Sequence, residues 1–479
     1  MDVLALASVL PELPVDRTHL LDNLGRIRRE VGPITPELSD ALADHMNIRR
    51  GEVHEVVSFY SFLQVPLDVA RVCTGPVCDC MGARANGGLE VACVGHCDLA
   101  PVQMQGDEIV GGVMHRTNSW LTEPDEVREP PDLTPDEVLA RLEAAGLTGM
   151  GGAGFPTFRK WAAVRAEPAP RIVIVNADEG EPGTIKDRYV MELRPQLLLE
   201  GVAAAMRFCE TDRAFIYLRE EYATSRVRLR EAIAARGLNV ELVVGAGSYV
   251  CGEESAMLES MEGRRGMPRL RPPFPAQKGY LARPTLINNV ETLAHVARIL
   301  RGEYTPARLW SVSGAVKEPG CYEAPLDVTT RQLVDDYAGG ATEEVGAVVP
   351  GGAASGIIPP AALDVPLTRD ALREWGSGPG SAAVQVFPAR YPVLRLLAET
   401  MRFFAEESCQ KCTPCRIGNR ALHHVAEELE HGRAAMTREK VDEWLEAMAQ
   451  TSICGLGQAS PIPVRSVFQH WPELMEALR

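Results

Sequence analysis

The sequence predicts a multidomain α/β protein, and three observations predict it. Between Leu133 and about Leu300, the short apolar runs RIVIVNA (171–177), AFIYL (214–218) and VELVV (240–244) alternate with helical stretches beginning near Pro195, Ala223 and Thr292. This is the pattern of a largely parallel sheet between helices. An acidic, proline-rich linker, TEPDEVREPPDLTPDE (122–137), sets that unit apart from what precedes it. Beyond Pro392 the apolar spacing is helical throughout. A chain of 479 residues has room for about three or four domains.

The remaining elements follow in chain order. Residues 16–64 read as helices through HLLDNLGRIRREVG and ELSDALADHM, and a compact cysteine-rich segment runs from about Ala70 to Trp120. Residues 303–386 are rich in glycine and proline with short strands at 308–314 and 382–387, a small β-rich insertion. VLRLLAETMRFFAEES, RALHHVAEELEHG and TREKVDEWLEAMAQ form a short helical bundle.

Charge and cysteine usage narrow the class. A formal net charge of −16 argues against a nucleic-acid partner, which needs a basic surface. No segment approaches the roughly 18 consecutive apolar residues of a membrane span, and MDVLALASVLPELPVDR lacks the basic start of a signal peptide. Of twelve cysteines, eight fall in two clusters, which in a reducing compartment points to metal. The expectation is a cytoplasmic metalloprotein.

ESCQKCTPCRIG (407–418) spaces Cys409, Cys412 and Cys415 three apart, with Cys454 remote in SICGLG. Three close thiolates and one distant one suit a cubane [4Fe–4S] cluster better than zinc, which favours separated pairs or added histidine. Thr413-Pro414 stops the preceding helix on this reading, and Lys411 and Arg416 offset the cluster's charge. The first group pairs Cys73 with Cys78 and Cys93 with Cys97, spacing that suits a [2Fe–2S] rhomb or a zinc tetrahedron. Cys80 is a spare thiol able to stand in for Cys78. Cys209, Cys251 and Cys321 stand alone and read as core residues.

Four loops of the α/β unit carry the polar chemistry. GLTGMGGAGFPTFRKW (146–161) matches the dinucleotide fingerprint as a string, but a helix precedes it where that motif needs a strand. What remains is a glycine-rich loop whose amides approach a phosphate or flat ring, with Lys160 beside it. VNADEGEPGTIKDR (175–188) puts Asp178, Glu179, Glu181 and Asp187 after a strand, suited to metal, to ribose or ribityl hydroxyls, or to a solvated turn. GAGSYVCGEESAML (245–258) follows a strand, and LINNVETL (286–293) places Asn288 and Asn289 before a helix capped in part by Glu291. Four such loops beside an iron–sulfur motif together suggest a redox cofactor pocket.

GGAGFP, NADEGEPGT-x-KDR, Y-x-CGEE, NNVETL, ESC-x-KCTPCR and SICGLG stand in an order that resembles the flavin-bearing, NADH-oxidising subunit of respiratory complex I and its soluble relatives, over about residues 133–479. SFYSFL with the first cysteine group resembles the thioredoxin-like [2Fe–2S] subunit, here joined in front. RAFIYLREEY, GEESAMLESMEGRRGMPR-x-RPPF and SICGLGQA most resemble the β (diaphorase) subunit of NAD-dependent, molybdenum-containing formate dehydrogenases. The resemblance implies four domains: 1–121, helical plus thioredoxin-like [2Fe–2S]; 133–302, Rossmann-like FMN/NADH-binding; 303–388, small and β-grasp-like (ubiquitin-like); 389–479, a helical bundle with [4Fe–4S].

By motif, Gly151, Gly152, Lys160, Asn176, Asp178, Glu179, Tyr249, Gly252, Glu253, Asn288, Asn289 and Thr292 are expected to line FMN. Phe155, Glu181, Glu254 and Phe274 are expected to hold NAD(H). Cys409, Cys412, Cys415 and Cys454 are expected to bind [4Fe–4S], and Cys73, Cys78, Cys93 and Cys97 [2Fe–2S]. Hydride would pass between nicotinamide and flavin with no catalytic side chain, since the cofactors carry the chemistry. The implied partners are a molybdenum-containing catalytic α subunit and a small [2Fe–2S] γ subunit, with formate oxidised to CO2 as NAD+ is reduced. A diaphorase subunit of NAD-reducing hydrogenase, a complex I-like NADH dehydrogenase, and a non-catalytic electron-transfer or assembly subunit are the alternatives.

Three positions depart from the family pattern. Met150 replaces Arg, Phe158 replaces Gly, and Ala163 replaces an aromatic. Only 14 residues separate Cys78 from Cys93, fewer than in the separate thioredoxin-like subunit.

Overall fold

The computed structural model describes residue 6 and residues 8–84, 87–433 and 436–478; the first five residues of the apolar amino terminus lie outside the described residues. Among the described residues, twelve strands form three four-stranded sheets.

The smallest sheet contains β1 (Arg71–Cys73), β2 (Leu89–Val91), β3 (Gln103–Gln105) and β4 (Glu108–Ile109) in the order β2-β1-β3-β4. β1 pairs in parallel with β2 and antiparallel with β3, so the first cysteine pair sits where β1 turns into the helix Pro76–Cys80.

The second sheet is parallel throughout: β5 (Ile172–Ala177), β6 (Ala214–Leu218), β7 (Val240–Val244) and β8 (Thr285–Asn289), in the order β7-β6-β5-β8. The apolar runs of β5 and β6 follow from burial on both faces. Ile172, Ile174, Phe215 and Tyr217 face one core, and Val173, Val175, Ala214 and Ile216 face the other. Leu20–Glu30, Pro36–Met46 and Arg50–Phe59 supply the first cover through Leu24, Ile27, Leu42 and Val53. Pro195–Cys209 and Val290–Arg301 supply the second. Fully burying side chains of this size contributes about 1.5–3 kcal/mol each, so the amino-terminal helices belong energetically to the α/β unit.

β8 is a finding against the expectation of a plain loop at 286–289. The five residues TLINN are short and partly polar, but main-chain pairing to β5 over Ile172–Asn176 makes them an edge strand. The third sheet comprises β9 (Ala307–Gly314), β10 (Gly320–Pro325), β11 (Val345–Val349) and β12 (Ala383–Pro388) in the order β10-β9-β12-β11, with the central pair parallel. The helices Val393–Glu406, Thr413–Glu430, Arg438–Thr451 and Pro461–His470 close the chain.

Polar contacts lock the cysteine-rich segment between the other units. Arg188 donates twice to Asp98 at 2.7 Å and the Tyr189 hydroxyl donates to Asp98 at 2.8 Å, all three side chains buried. On the other side, Arg402 donates to the Thr74 carbonyl at 2.6 Å and Tyr391 to Asp79 at 2.6 Å. The linker is strapped down rather than free: Asp125 accepts from the N–H groups of Gln196 and Leu197, at the exposed amide end of Pro195–Cys209.

Candidate functional site

In the order β7-β6-β5-β8 the chain leaves β5 toward β6 on one side and β8 on the other, so the switch point lies between β5 and β8. Open parallel sheets hold ligands at the carboxyl ends of strands at such a point. There the structure gathers Asn176, Asp178, Glu179, Asn288 and Asn289.

Much of this group is already engaged by the fold. Asn176 donates to the Gly252 carbonyl at 2.8 Å, and Asn288 accepts from the Trp161 indole at 3.0 Å. Asn289 caps Val290–Arg301 by accepting from Thr292 N–H at 3.4 Å and donates to Asp187 at 2.5 Å. Glu291, expected to share in that cap, instead accepts from the Leu309 N–H at 2.7 Å, reaching the third sheet. The Thr292 hydroxyl accepts from Met150 N–H at 2.9 Å, fixing the glycine loop on the helix start.

Glu179 accepts from the N–H groups of Asp187 and Arg188 at 2.9 and 3.2 Å, so the acidic loop is no solvated turn. Glu253 caps Glu254–Met261 through the N–H groups of Ser255 and Ala256 and pairs with Arg271. Lys160 pairs with Glu254 and donates to the Ile287 carbonyl at 3.1 Å. One group stays unengaged: Asp178 Oδ2 is buried without a hydrogen-bond partner. A buried acceptor of this kind fits a ligand bearing hydroxyl donors.

Phe155 and Phe274 are each 52% exposed; Phe155 stands two residues before Thr157–Arg165 and Phe274 directly before Pro275–Lys278, two helices that pack together. The Phe155 carbonyl accepts from Gly149 N–H at 2.8 Å and closes the glycine loop on itself. Glu181 accepts from the Tyr249 hydroxyl at 2.5 Å and the Ala354 N–H at 2.7 Å. A Cβ on Gly180 would lie 2.9 Å from the Tyr249 ring, so only glycine fits between these two loops.

Sequence reasoning missed the roof of this site. Gly352 backs onto Glu181, and Gly380 and Ser381 lie against Gly152. The Ser381 hydroxyl shares a 2.6 Å bond with Thr184. The signal was the runs PGGAASG and SGPGS, legible only as glycine-rich stretches.

Burial dominates the electrostatics. It pushes Asp178 up to about 8 against the pull of Arg219, and Glu179 up to about 8 with the added charge of Asp187. Glu181 is raised for the same reason. Glu291 goes the other way, to about 2, because Lys186, His295 and Arg308 together outweigh the large cost of its burial.

The two cysteine groups each converge. Cys73, Cys78, Cys93 and Cys97 are buried and free of disulfides, with Cys93 Sγ and Cys97 Sγ 3.4 Å apart. Hydrogen bonding with Cys78 and Cys93, respectively, holds the Cys73 and Cys97 thiols well above their usual range. Bonding to Cys73 takes Cys93 to about 12. Thiols this crowded ionise together only around a cation, which fits an iron–sulfur cluster.

Cys80 is no substitute for Cys78. It joins a different core from Cys73 and Cys78 and feels Arg390, Asp79 and Glu343 rather than the other thiols.

In the second group, Cys409 and Cys412 lie in the loop and Cys415 in the first turn of Thr413–Glu430, which Thr413-Pro414 opens; the preceding helix has already ended at Glu406. Burial lifts Cys415 to about 12 and Cys454 to about 11, with Cys409 adding its charge to both. Ser408 and Asn419 each lie 3.3 Å from Cys415 Sγ, and Lys411 donates to the Pro268 carbonyl at 2.6 Å. These four thiols likewise fit a cluster.

A cavity of about 840 Å³ joins the parts. Its walls include Cys93, Asp178, Arg219, Tyr249, Glu407 and Cys409, so one segment of each thiol group and the Asp178 loop face a common space.

Comparison with known proteins decides the family. Residues 142–298 match the Nuo51 FMN-binding domain. Residues 395–478 match the NADH-ubiquinone oxidoreductase-F iron-sulfur binding region, and 6–86 the thioredoxin-like [2Fe–2S] ferredoxin. The chain is 40% identical over 370 residues to an NADH-quinone oxidoreductase subunit of Rhizobium meliloti, covering 71% of this chain and 88% of that one. The chain belongs to the NADH-quinone oxidoreductase flavoprotein family.

A second member of that family, from Aquifex aeolicus, is 36% identical over 377 residues, covering 73% and 87% of the two chains. A chain of an NAD+-reducing [NiFe]-hydrogenase in the H2-reduced state superposes with a TM-score of 0.84 at 32% identity, covering 97% of this chain and 94% of that one. This oxidoreductase flavoprotein thus carries an FMN-binding domain, a [4Fe–4S] region and a thioredoxin-like [2Fe–2S] domain, and NADH is the nucleotide its family binds. No helix among the described residues is long and apolar enough to cross a membrane.

Proposed function

We propose that the chain is the diaphorase subunit of an NAD-dependent, molybdenum-containing formate dehydrogenase, passing electrons between iron–sulfur clusters and NAD through FMN. The observation that carries the diaphorase reading is the cavity that faces a segment of each thiol group and the Asp178 loop together. FMN, when bound, supplies the exchange between two-electron nicotinamide and one-electron cluster chemistry.

On this reading Cys409, Cys412, Cys415 and Cys454 hold the [4Fe–4S] cluster and Cys73, Cys78, Cys93 and Cys97 the [2Fe–2S] cluster. Gly151, Gly152, Asn176, Asp178 and Tyr249 line the flavin, with Asp178 taking a ribityl hydroxyl. Lys160 supplies a positive charge toward the phosphate. Glu179, Gly252, Glu253, Asn288, Asn289 and Thr292 shape that site by holding its loops. Phe155, Phe274, Glu181 and Glu254 hold the nucleotide. The α and γ subunits would supply the formate site and a further relay.

The formate assignment rests on RAFIYLREEY and GEESAMLESMEGRRGMPR-x-RPPF. A second reading, the diaphorase of an NAD-reducing hydrogenase, is favoured by the whole-length likeness to such a chain.

Anaerobic NADH titration of the purified chain, with flavin and iron assayed together, tests the first part. Bleached flavin and about six irons per chain are expected. A flavin-free chain inert to NADH would leave an electron conduit. Isolation of the native complex separates the donors: molybdenum with formate-driven NAD+ reduction supports the proposal, and nickel with hydrogen-driven reduction overturns it. Glu181→Gln and Glu254→Gln should alter NADH kinetics with FMN retained; loss of FMN in both contradicts their placement.

A further inference from the structure

We propose that Arg219, with its counter-ion Glu221, is a positioning residue that sets the reduction potential of the amino-terminal cluster while tying that cluster's loop to the Asp178–Glu181 loop. The inference rests on the proposed placement of the [2Fe–2S] cluster on Cys73, Cys78, Cys93 and Cys97.

Arg219 follows directly on β6, in the stretch RAFIYLREEY, and none of the cofactor motifs accounts for it. Its guanidinium is buried and forks between the two loops. Nη2 donates to the Cys93 carbonyl at 2.8 Å, and Nη1 donates to the Glu179 carbonyl at 2.5 Å. Glu221 pairs with Nη2, with both side chains at most 7% exposed. Tyr222 completes the clamp. Its ring lies 5.2 Å from the guanidinium, its hydroxyl donates to Glu179 Oε2 at 3.0 Å, and it meets the His96 ring edge-on at 5.6 Å.

The neighbouring buried charges are already paired, Arg188 with Asp98 and Arg28 with Glu220. Of these charges, Arg219 is the one hydrogen-bonded to the Cys93 carbonyl, and Glu221 is its counter-ion.

One-electron reduction adds a negative charge to a thiolate-held cluster. A fixed cation hydrogen-bonded to a ligand's own carbonyl stabilises the reduced form, and a neighbouring carboxylate opposes it. Both act strongly in a site shielded from water, where charge, hydrogen bonding and exposure set cluster potentials. The two partners thus predict shifts of opposite sign, which a purely structural clamp does not.

The test is an EPR-monitored redox titration of the full chain with mediators and dithionite, without NADH, so that it does not depend on the nucleotide site. In Arg219→Gln the [2Fe–2S] signal should appear at lower potential. At the wild-type midpoint its reduced-to-oxidised ratio should fall about tenfold or more, equivalent to about 59 mV for one electron. Glu221→Gln should move it upward, Arg219→Lys should restore the wild-type value, and the [4Fe–4S] signal should stay in place throughout.

An unchanged [2Fe–2S] midpoint in Arg219→Gln with iron retained overturns the proposal. If that variant fails to assemble, an unmoved or lowered midpoint in Glu221→Gln overturns it. A wild-type chain without a [2Fe–2S] signal removes the cluster and the proposal with it. Flavin that NADH does not bleach refutes the diaphorase reading alone.

Discussion

Tyr249 joins two loops by its two ends: its hydroxyl donates to Glu181 at 2.5 Å, and its backbone N–H donates to Glu407 at 2.9 Å, two residues before Cys409. The ring between them packs edge-on against Phe403 at 5.0 Å. One aromatic side chain therefore sets the spacing between the [4Fe–4S] loop and the acidic loop after β5. Arg219 does the same on the [2Fe–2S] side, so the Asp178–Glu181 segment is held from both directions.

Tyr249→Phe keeps the ring and removes the donor. Glu181 is half-buried and would keep only the Ala354 N–H. A buried acceptor losing a partner costs about 1–3 kcal/mol. Denaturant unfolding should show a loss of that size, and unaltered stability would mean the Tyr249–Glu181 bond is not made in solution.

The buried carboxyls predict a stability optimum in pH. Asp178 is raised from 3.8 to about 8, so the folded chain holds its proton longer than the unfolded chain does. Its contribution is complete below about 4 and is lost as pH rises through 8. Glu291 is lowered from 4.5 to about 2, so its contribution is present above 4.5 and lost as pH falls through 2. Thermal unfolding of the flavin-free chain should show falling stability from about pH 4 to 8, and Asp178→Asn should flatten that limb. An unchanged alkaline limb in the variant would remove Asp178 as its source.

The thiols separate by iron content. Cys454→Ser should lose the [4Fe–4S] signal and about four irons while the [2Fe–2S] signal persists. Cys80→Ser should change neither, because Cys80 turns toward Arg390 and away from the other thiols. Loss of the [2Fe–2S] signal in Cys80→Ser would restore it as a ligand candidate.

That last pair shows what the sequence could and could not convey. Cys78 and Cys80 are two positions apart and chemically equal on paper; only the short helix Pro76–Cys80 points them into different cores. β5 and β6 were legible because two-sided burial writes an uninterrupted apolar run. β8 was not, since its two asparagines serve the site rather than the core and its register comes from β5. Glu179 and Asn289 looked like ligand groups, and the structure shows them bonding backbone amides and a helix start, contacts fixed by tertiary packing. The loops at Gly352 and Gly380 come from a sheet more than 150 residues downstream of Gly152, so no local pattern joins them to the site.

Close packing between two cysteine segments of the [4Fe–4S] region gives the last prediction. Gly457, in the turn after Cys454, faces Cys415 so closely that an added Cβ would lie 2.8 Å from Cys415 Cβ and 2.5 Å from Ser452 Oγ. Ser452 sits at the carboxyl end of Arg438–Thr451 and is itself buried, so it cannot swing clear into solvent. Gly457→Ala must then push apart two segments that carry ligands of one cluster, at a cost of about 1–3 kcal/mol for overpacking. The expected outcome is a folded chain with flavin retained, about four irons lost and the [4Fe–4S] EPR signal absent. Gly455→Ala, where nothing lies within 4 Å of an added Cβ, is the control and should keep its iron. Full iron content in Gly457→Ala would show that the Cys415 and Cys454 segments are not held together as tightly as the packing indicates.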